Sequence, residues 1–269
     1  MNFWLYCLGL AAMLAVATAT WGVSVLKRDV SIVDGVWAPM FVFAAVVYAS
    51  GTDHSTGRTT FILALVALWA LRLSGHIIWR NWGEPEDRRY RDIRDKYEPH
   101  FALKSLGIIF WFQAGLAWII SMPLCQTLTV PVEVGAFDVL AVTAWTVGMT
   151  FESIADWQLA QFKADPENHG KVMDRGLWRY TRHPNYFGEC LVWWGFYLFA
   201  ASVGAWWSIV APLLLTYMLL KFSGVTLLEE TIVERRPAYR DYIARTNAFL
   251  PGPRKPAQSG TTENGQAAG

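Results

Sequence analysis

Phe3-Trp-Leu-Tyr-Cys-Leu-Gly-Leu-Ala-Ala-Met-Leu-Ala-Val-Ala-Thr-Ala-Thr-Trp-Gly-Val-Ser-Val-Leu26, followed at once by Lys27 and Arg28, decides the fold. The run contains no charged residue. A helix rising about 1.5 Å per residue needs roughly 20 apolar residues to cross a hydrocarbon core about 30 Å thick, so this one is long enough to span. Ala15, Ala17 and Ala19 imitate a small-residue cleavage site, yet the basic residues follow the run instead of preceding it. That is the reverse of a secretory n-region, and the run reads as a retained first helix.

Working outward, similar runs recur at Ser31 to Ser50, Thr60 to Trp79, Leu106 to Leu128, Phe137 to Leu159, Phe187 to Ala201 and Trp206 to Val225. The expectation is an all-α integral membrane protein with about seven transmembrane helices. Composition agrees: 54% of the 269 residues are hydrophobic, 17% are charged, and the mean hydropathy is positive. Such a chain is too apolar to hide its surface in one water-soluble core. A net charge of +1 with acids scattered among the bases leaves no cationic face for nucleic acid. Cys7, Cys125 and Cys190 show neither disulfide-framework nor metal-ligand spacing, so no metal is expected.

Basic residues are distributed asymmetrically. Lys27 and Arg28, the Arg80 to Lys104 segment, the Lys163 to Arg182 segment and the stretch with Arg235, Arg236, Arg240 and Arg245 fall on one side, and Arg58 alone on the other. The positive-inside rule then puts the N-terminus outside and the C-terminus in the cytoplasm. Residues 1–253 read as one membrane domain and 254–269, rich in Pro, Gly, Ser, Thr and Ala, as a disordered tail. The short N-terminus fits a bacterial inner membrane, and nothing in the sequence requires a protein partner.

Ionisable residues inside spans cost about 2.5–3.5 kcal/mol on insertion scales, so each marks a pair or a site. Asp34 opens the second span in Ser31-Ile-Val-Asp-Gly-Val-Trp37, as a first-turn cap or a functional acid. Arg72, His76 and Arg80 recur at four-residue intervals, forming one cationic helix face suited to a phosphate. Glu152 and Asp156 share a face of the fifth span, where they accept hydrogen bonds from ligand hydroxyls or pair with a cation of a neighbouring helix.

Gly176-Leu-Trp-Arg-Tyr-Thr-Arg-His-Pro-Asn-Tyr-Phe-Gly-Glu189 is the most specific string. It gathers Arg179, Tyr180, Arg182, His183, Asn185, Tyr186 and Glu189 where a polar loop re-enters the membrane, and Pro184 is suited to start a helix whose free N–H groups favour an anion. With the Glu152/Asp156 turn and the stretch from Leu227-Leu-Glu-Glu230 to Tyr242, it resembles the steroid 5α-reductase family (3-oxo-5α-steroid 4-dehydrogenases), specifically bacterial membrane homologues. The likeness is strongest from Glu152 to Pro251.

The resemblance implies an NADPH-dependent ene-reductase that passes hydride to the β-carbon of a conjugated enone, such as a 3-oxosteroid, drawn from the membrane lipid phase. It places the cofactor among Arg72, Arg80, Asp156, Lys163, Lys171, Arg179, Tyr180, Arg182, His183, Asn185, Tyr186, Glu189, Glu230 and Tyr242. Asp34 stands for the family's substrate glutamate. The third span lacks the family's partner tyrosine, Trp69 lies near its place, and His76 is the remaining proton donor there. The Arg-His-Pro-x-Tyr-x-Gly string and paired glutamates are also similar to isoprenylcysteine and phospholipid methyltransferases that use S-adenosylmethionine, which is the alternative expectation.

Overall fold

The computed structural model describes residues 1–52, 56–223, 232–233 and 236–256, and among these there are helices and turns but no strands. The main helices are α1 (Phe3–Lys27), α2 (Ile32–Ser50), α3 (Gly57–Asn81), α4 (Arg88–Tyr97), α5 (Phe101–Ser105), α6 (Phe112–Ile120), α7 (Met122–Thr129), α8 (Ala136–Ala164), α9 (Pro184–Ala201), α10 (Val210–Met218) and α11 (Tyr239–Arg245). A π-helical segment, Leu106–Trp111, joins α5 to α6.

Four helical segments are long and apolar enough to cross a membrane: Phe3–Lys27, Ile32–Ser50, Gly57–Asn81 and Phe101–Ile120. Helix α8 has ample length but carries Asp138, Glu152 and Asp156 inward, and α9 carries Glu189. The last expected span shows a shorter apolar helix, Trp206–Lys221. The expected span from Leu106 to Leu128 instead starts at Phe101 and breaks at Ser121. Pro123 suits this break, since it lies in the first turn of α7, where no N–H is needed.

Large apolar side chains remain on the outer surface, among them Phe43, Val46, Leu68, Leu71, Val139, Leu140 and Leu213. Exposed apolar area spread over several helices is what a lipid-facing surface requires. Inside, Trp37, Phe41, Trp69 and Trp193 form an aromatic cluster with ring centroids 4.6–6.3 Å apart. It joins α2, α3 and α9.

Helices α8 and α9 approach so closely that glycine is required. A Cβ on Gly148 would lie 2.6 Å from the Gly188 carbonyl oxygen, and one on Gly188 would lie 2.6 Å from the Glu152 backbone nitrogen. Small residues let backbones meet in an environment that supplies no hydrophobic force between helices. This contact sets Glu152, Asp156, Asn185 and Glu189 beside one another.

The far end is locked by Arg58, the lone basic residue of its side in the sequence. It is buried, and its Nη2 donates to Asp138 at 2.8 Å, to the Phe199 carbonyl at 3.1 Å and to Ser202 at 2.9 Å. One guanidinium thus ties the start of α3 to the start of α8 and the end of α9. At the other end, the expected loop from Arg80 to Lys104 contains α4, whose Tyr90 is buried. Of the expected tail, Arg254 pairs with Asp174 at 2.9 Å and the Lys255 N–H donates to the Arg245 carbonyl, and 257–269 lie outside the described residues.

Removing one member of a buried ion pair costs about 3–5 kcal/mol, whereas replacing both by apolar residues is close to neutral. Arg58→Met is expected to lower the thermal midpoint of the detergent-purified protein sharply, and Arg58→Met with Asp138→Leu to restore most of it, as read by tryptophan fluorescence. Gly188→Ala is expected to destabilise by about 1–3 kcal/mol through overpacking.

Candidate functional site

Two polar clusters lie toward the basic end of the bundle. The first is built on α3, α8 and α9. Arg72 pairs with both Glu152 and Asp156 and also donates to the Glu152 carbonyl at 2.8 Å. Asp156 accepts from Asn185 Nδ2 at 3.1 Å, and His76 Nε2 stands 3.6 Å from it. Glu189 accepts from the indoles of Trp69 (2.9 Å) and Trp193 (3.2 Å) and faces Glu152. The four-residue spacing that aligns Arg72 with His76, and Glu152 with Asp156, is what lets the α3 and α8 faces meet.

This corrects several expectations. Arg72 is not a free phosphate ligand, because two buried acids already claim it. The acids take the pairing alternative, and Glu189 is held by tryptophans instead of being presented to an amide. His76 lies against Asp156 and Trp79. The Arg72–His76–Arg80 face therefore divides, and only Arg80, exposed with Asn81 as its hydrogen-bond partner, keeps an open cation.

The loop string divides in the same way. Arg182, expected among the cofactor residues, is buried and donates to the carbonyls of Ile243 (3.0 Å) and Thr246 (2.5 Å), while its own N–H donates to the Asn247 carbonyl at 2.9 Å. Its charge satisfies the open end of α11. Tyr242, expected at the cofactor, donates to the Trp178 carbonyl at 2.5 Å and is buried in that same joint. Arg179 and Tyr180 are exposed. His183 is buried and stacks on Tyr186 with ring centroids 5.5 Å apart. Lys171 is exposed, and its carbonyl accepts from Arg236 at 2.7 Å. Glu230 lies outside the described residues.

The second cluster centres on Asp34. Its Oδ1 accepts from the Tyr90 hydroxyl at 2.5 Å and its Oδ2 from Arg89 at 3.1 Å. Gln113 Nε2 in turn donates to the Tyr90 hydroxyl at 3.1 Å. The third span has no tyrosine, and the one that meets Asp34 comes from α4. Burial, then the Asp34 charge, raises its phenol well above the ordinary tyrosine value, so it stays a donor at physiological pH. Sequence reasoning missed Tyr90, Arg89 and Gln113. The available signal was one tyrosine inside the charged run Arg88-Arg-Tyr-Arg91.

Tyr186, in the first turn of α9, stacks on His183, and its N–H donates to Asn185 Oδ1 at 3.1 Å. Behind the first cluster, a cavity of about 350 Å³ is lined by Phe162, Lys163, Asn168, His169 and Arg236. Partial burial, followed by the repulsion of Arg80 and Arg236, holds the Lys163 ammonium below the usual lysine value, with Asp156 opposing. Lys163 and Arg236 line the cavity together with Asp165, and two cations against one acid favour an anion there.

A family model described as "Protein of unknown function (DUF1295)" matches residues 20–246, so the chain belongs to the DUF1295 family. The chain is also 28% identical over 278 residues to an uncharacterized protein of the fission yeast Schizosaccharomyces pombe, covering 91% of this chain and 79% of that one. No solved structure matches it.

Leaving Glu152 and Asp156 without their guanidinium should cost about 3–5 kcal/mol. Arg72→Met is expected to melt far below the parent in a detergent thermal scan, and Asn185→Ala to cost only about 1–3 kcal/mol. An Arg72→Met protein melting at the parental temperature would show that the triad holds nothing together.

Proposed function

We propose that the protein is an NADPH-dependent membrane ene-reductase acting on a lipophilic conjugated enone, with a 3-oxosteroid as the leading substrate class. The observation that carries this reading is the Asp34–Tyr90 pair. An acid–tyrosine couple of the kind the family resemblance requires stands at the mouth of α2, at the same end of the bundle as the Asp156–Asn185 pair.

The chain's residues fit such a cofactor. Lys163 and Arg236 repel each other across the 350 Å³ cavity, and a bound phosphate relieves that repulsion. That volume suits a phosphoribosyl portion rather than a whole dinucleotide. Asn185, already oriented by Asp156, is the amide-reading group. NADPH, when bound, supplies the hydride.

The remaining chemistry belongs to the protein. When substrate binds, the Tyr90 hydroxyl turns its one proton from Asp34 to the substrate carbonyl oxygen and stabilises the negative charge that develops there. Until then Asp34 accepts from both Tyr90 and Arg89 and keeps the hydroxyl at the mouth of α2, while Gln113 Nε2 donates to the phenol oxygen. His76, bound up with Asp156, takes no part in proton donation. The apolar faces of the neighbouring helices exclude water from the reaction.

In this reading the chain crosses the membrane seven times. The N-terminus is outside, and the basic end, which carries both clusters, faces the cytoplasm of a bacterial cell, where the reduced dinucleotide is found.

NADPH, NADH and S-adenosylmethionine are to be titrated separately into detergent-purified protein, followed by an enone screen with the ligand that binds. NADPH is expected to bind, with Lys163→Ala weakening it about 10- to 100-fold, the scale of one charge-assisted hydrogen bond. Tyr90→Phe is expected to leave binding intact and to lower enone reduction by about 100-fold or more. Binding of S-adenosylmethionine in place of NADPH would transfer the chain to the methyltransferase reading.

A further inference from the structure

A second cavity, of about 400 Å³, opens at the basic end between α1 and the α4–α5 connection. None of its lining residues belongs to the clusters described above. Arg28, Arg94, Glu98 and His100 form its polar side, and Val25 and Phe101 belong to its apolar side.

Its backbone is unusual. Arg28 (φ 55°) and His100 (φ 69°) are the non-glycine residues in the left-handed region among the described residues, and both line this one cavity. Arg28 ends α1 and His100 precedes α5. A glycine would make either turn without strain. The residues present bring a guanidinium and an imidazole to the same mouth, and neither side chain has a hydrogen-bond or ion-pair partner among the described residues. Arg94 does not share this freedom: Glu86 holds it at 2.7 Å, and it lies over the Phe101 ring at 4.5 Å, fixing the wall.

The apolar side does not stop at the rim. Val25 is itself exposed, and Leu26, Leu103, Ile108 and Trp111 continue an exposed apolar surface along α1 and the α5–α6 segment. A free phosphate uses the polar mouth alone. A membrane phospholipid uses both, because its acyl chains follow the apolar face that a bilayer already covers.

Glu98 stands at the same mouth. A carboxylate at the rim repels a purely anionic headgroup but pairs with an ammonium. We propose that this cavity is a binding site for an aminophospholipid: the phosphate sits between Arg28 and His100, the headgroup amine meets Glu98, and the chains run over Val25, Leu26 and Leu103. The site is independent of the reductase reading.

The full-length protein is to be reconstituted in vesicles with equal parts phosphatidylethanolamine and phosphatidylglycerol, re-extracted in detergent, and its retained lipids read by native mass spectrometry. Phosphatidylethanolamine is expected to be retained about tenfold over phosphatidylglycerol, and millimolar inorganic phosphate to leave it in place. Arg28→Asn with His100→Asn is expected to reduce retention about tenfold. Asparagine is chosen because it tolerates a left-handed backbone and so preserves both turns. Glu98→Gln is expected to keep the lipid but erase the headgroup preference. Parental retention by the double variant, preference for phosphatidylglycerol in the parent, or complete displacement by inorganic phosphate would each overturn the assignment.

Discussion

An arginine held between two acids inside a helix bundle constrains everything around it. Arg72 faces Glu152 and Asp156, and burial of three charges is tolerable only while each has partners. The pairing fixes α3 against α8 at one height, which sets where Asp156 can meet Asn185 and where Trp69 can reach Glu189. Glycines at 148 and 188 permit the approach, and Arg58 repeats the device at the opposite end with Asp138. The bundle is therefore pinned by one buried guanidinium at each end, with an aromatic cluster between them.

That pinning leaves the basic end free to carry chemistry. The first cluster is held by internal ion pairs and hydrogen bonds and behaves as scaffold, with Asn185 tied to Asp156 at its edge. The second is less closed: Asp34 is half-buried, and its partner Arg89 is exposed. Tyr90 arrives on a short amphipathic helix rather than on a span, and the π-helical segment ends two residues before Gln113, the residue that reaches it. Such segments recur at functional sites because they turn a side chain away from regular helical spacing.

Much of the fold was legible. Apolar runs gave the long helices within a few residues, since length and hydropathy respond directly to the membrane. Four-residue spacing correctly grouped Arg72 with His76 and Glu152 with Asp156, but one helix's periodicity does not say what faces it. Arg72 read as a ligand for phosphate and proved to be a partner for the acids. Arg182 and Tyr242 sat in a string dense with donors, yet their bonds run to main-chain carbonyls about 60 residues away or more, which no local pattern encodes. Tyr90 was hidden for a related reason: the family resemblance points to the third span for a donor beside Asp34, whereas the chain supplies one from the polar segment after it.

The central claim is that the Asp34–Tyr90 pair and the Asp156–Asn185 pair are two halves of one reducing site. Its most direct test is a single-turnover reaction of the purified protein with NADPH deuterated at the transferring C4 position and a conjugated enone, with the product analysed by NMR. The account predicts one deuterium at the β-carbon, formed by the parent and nearly absent from Tyr90→Phe. Product without deuterium at that carbon, or undiminished transfer in Tyr90→Phe, would contradict it.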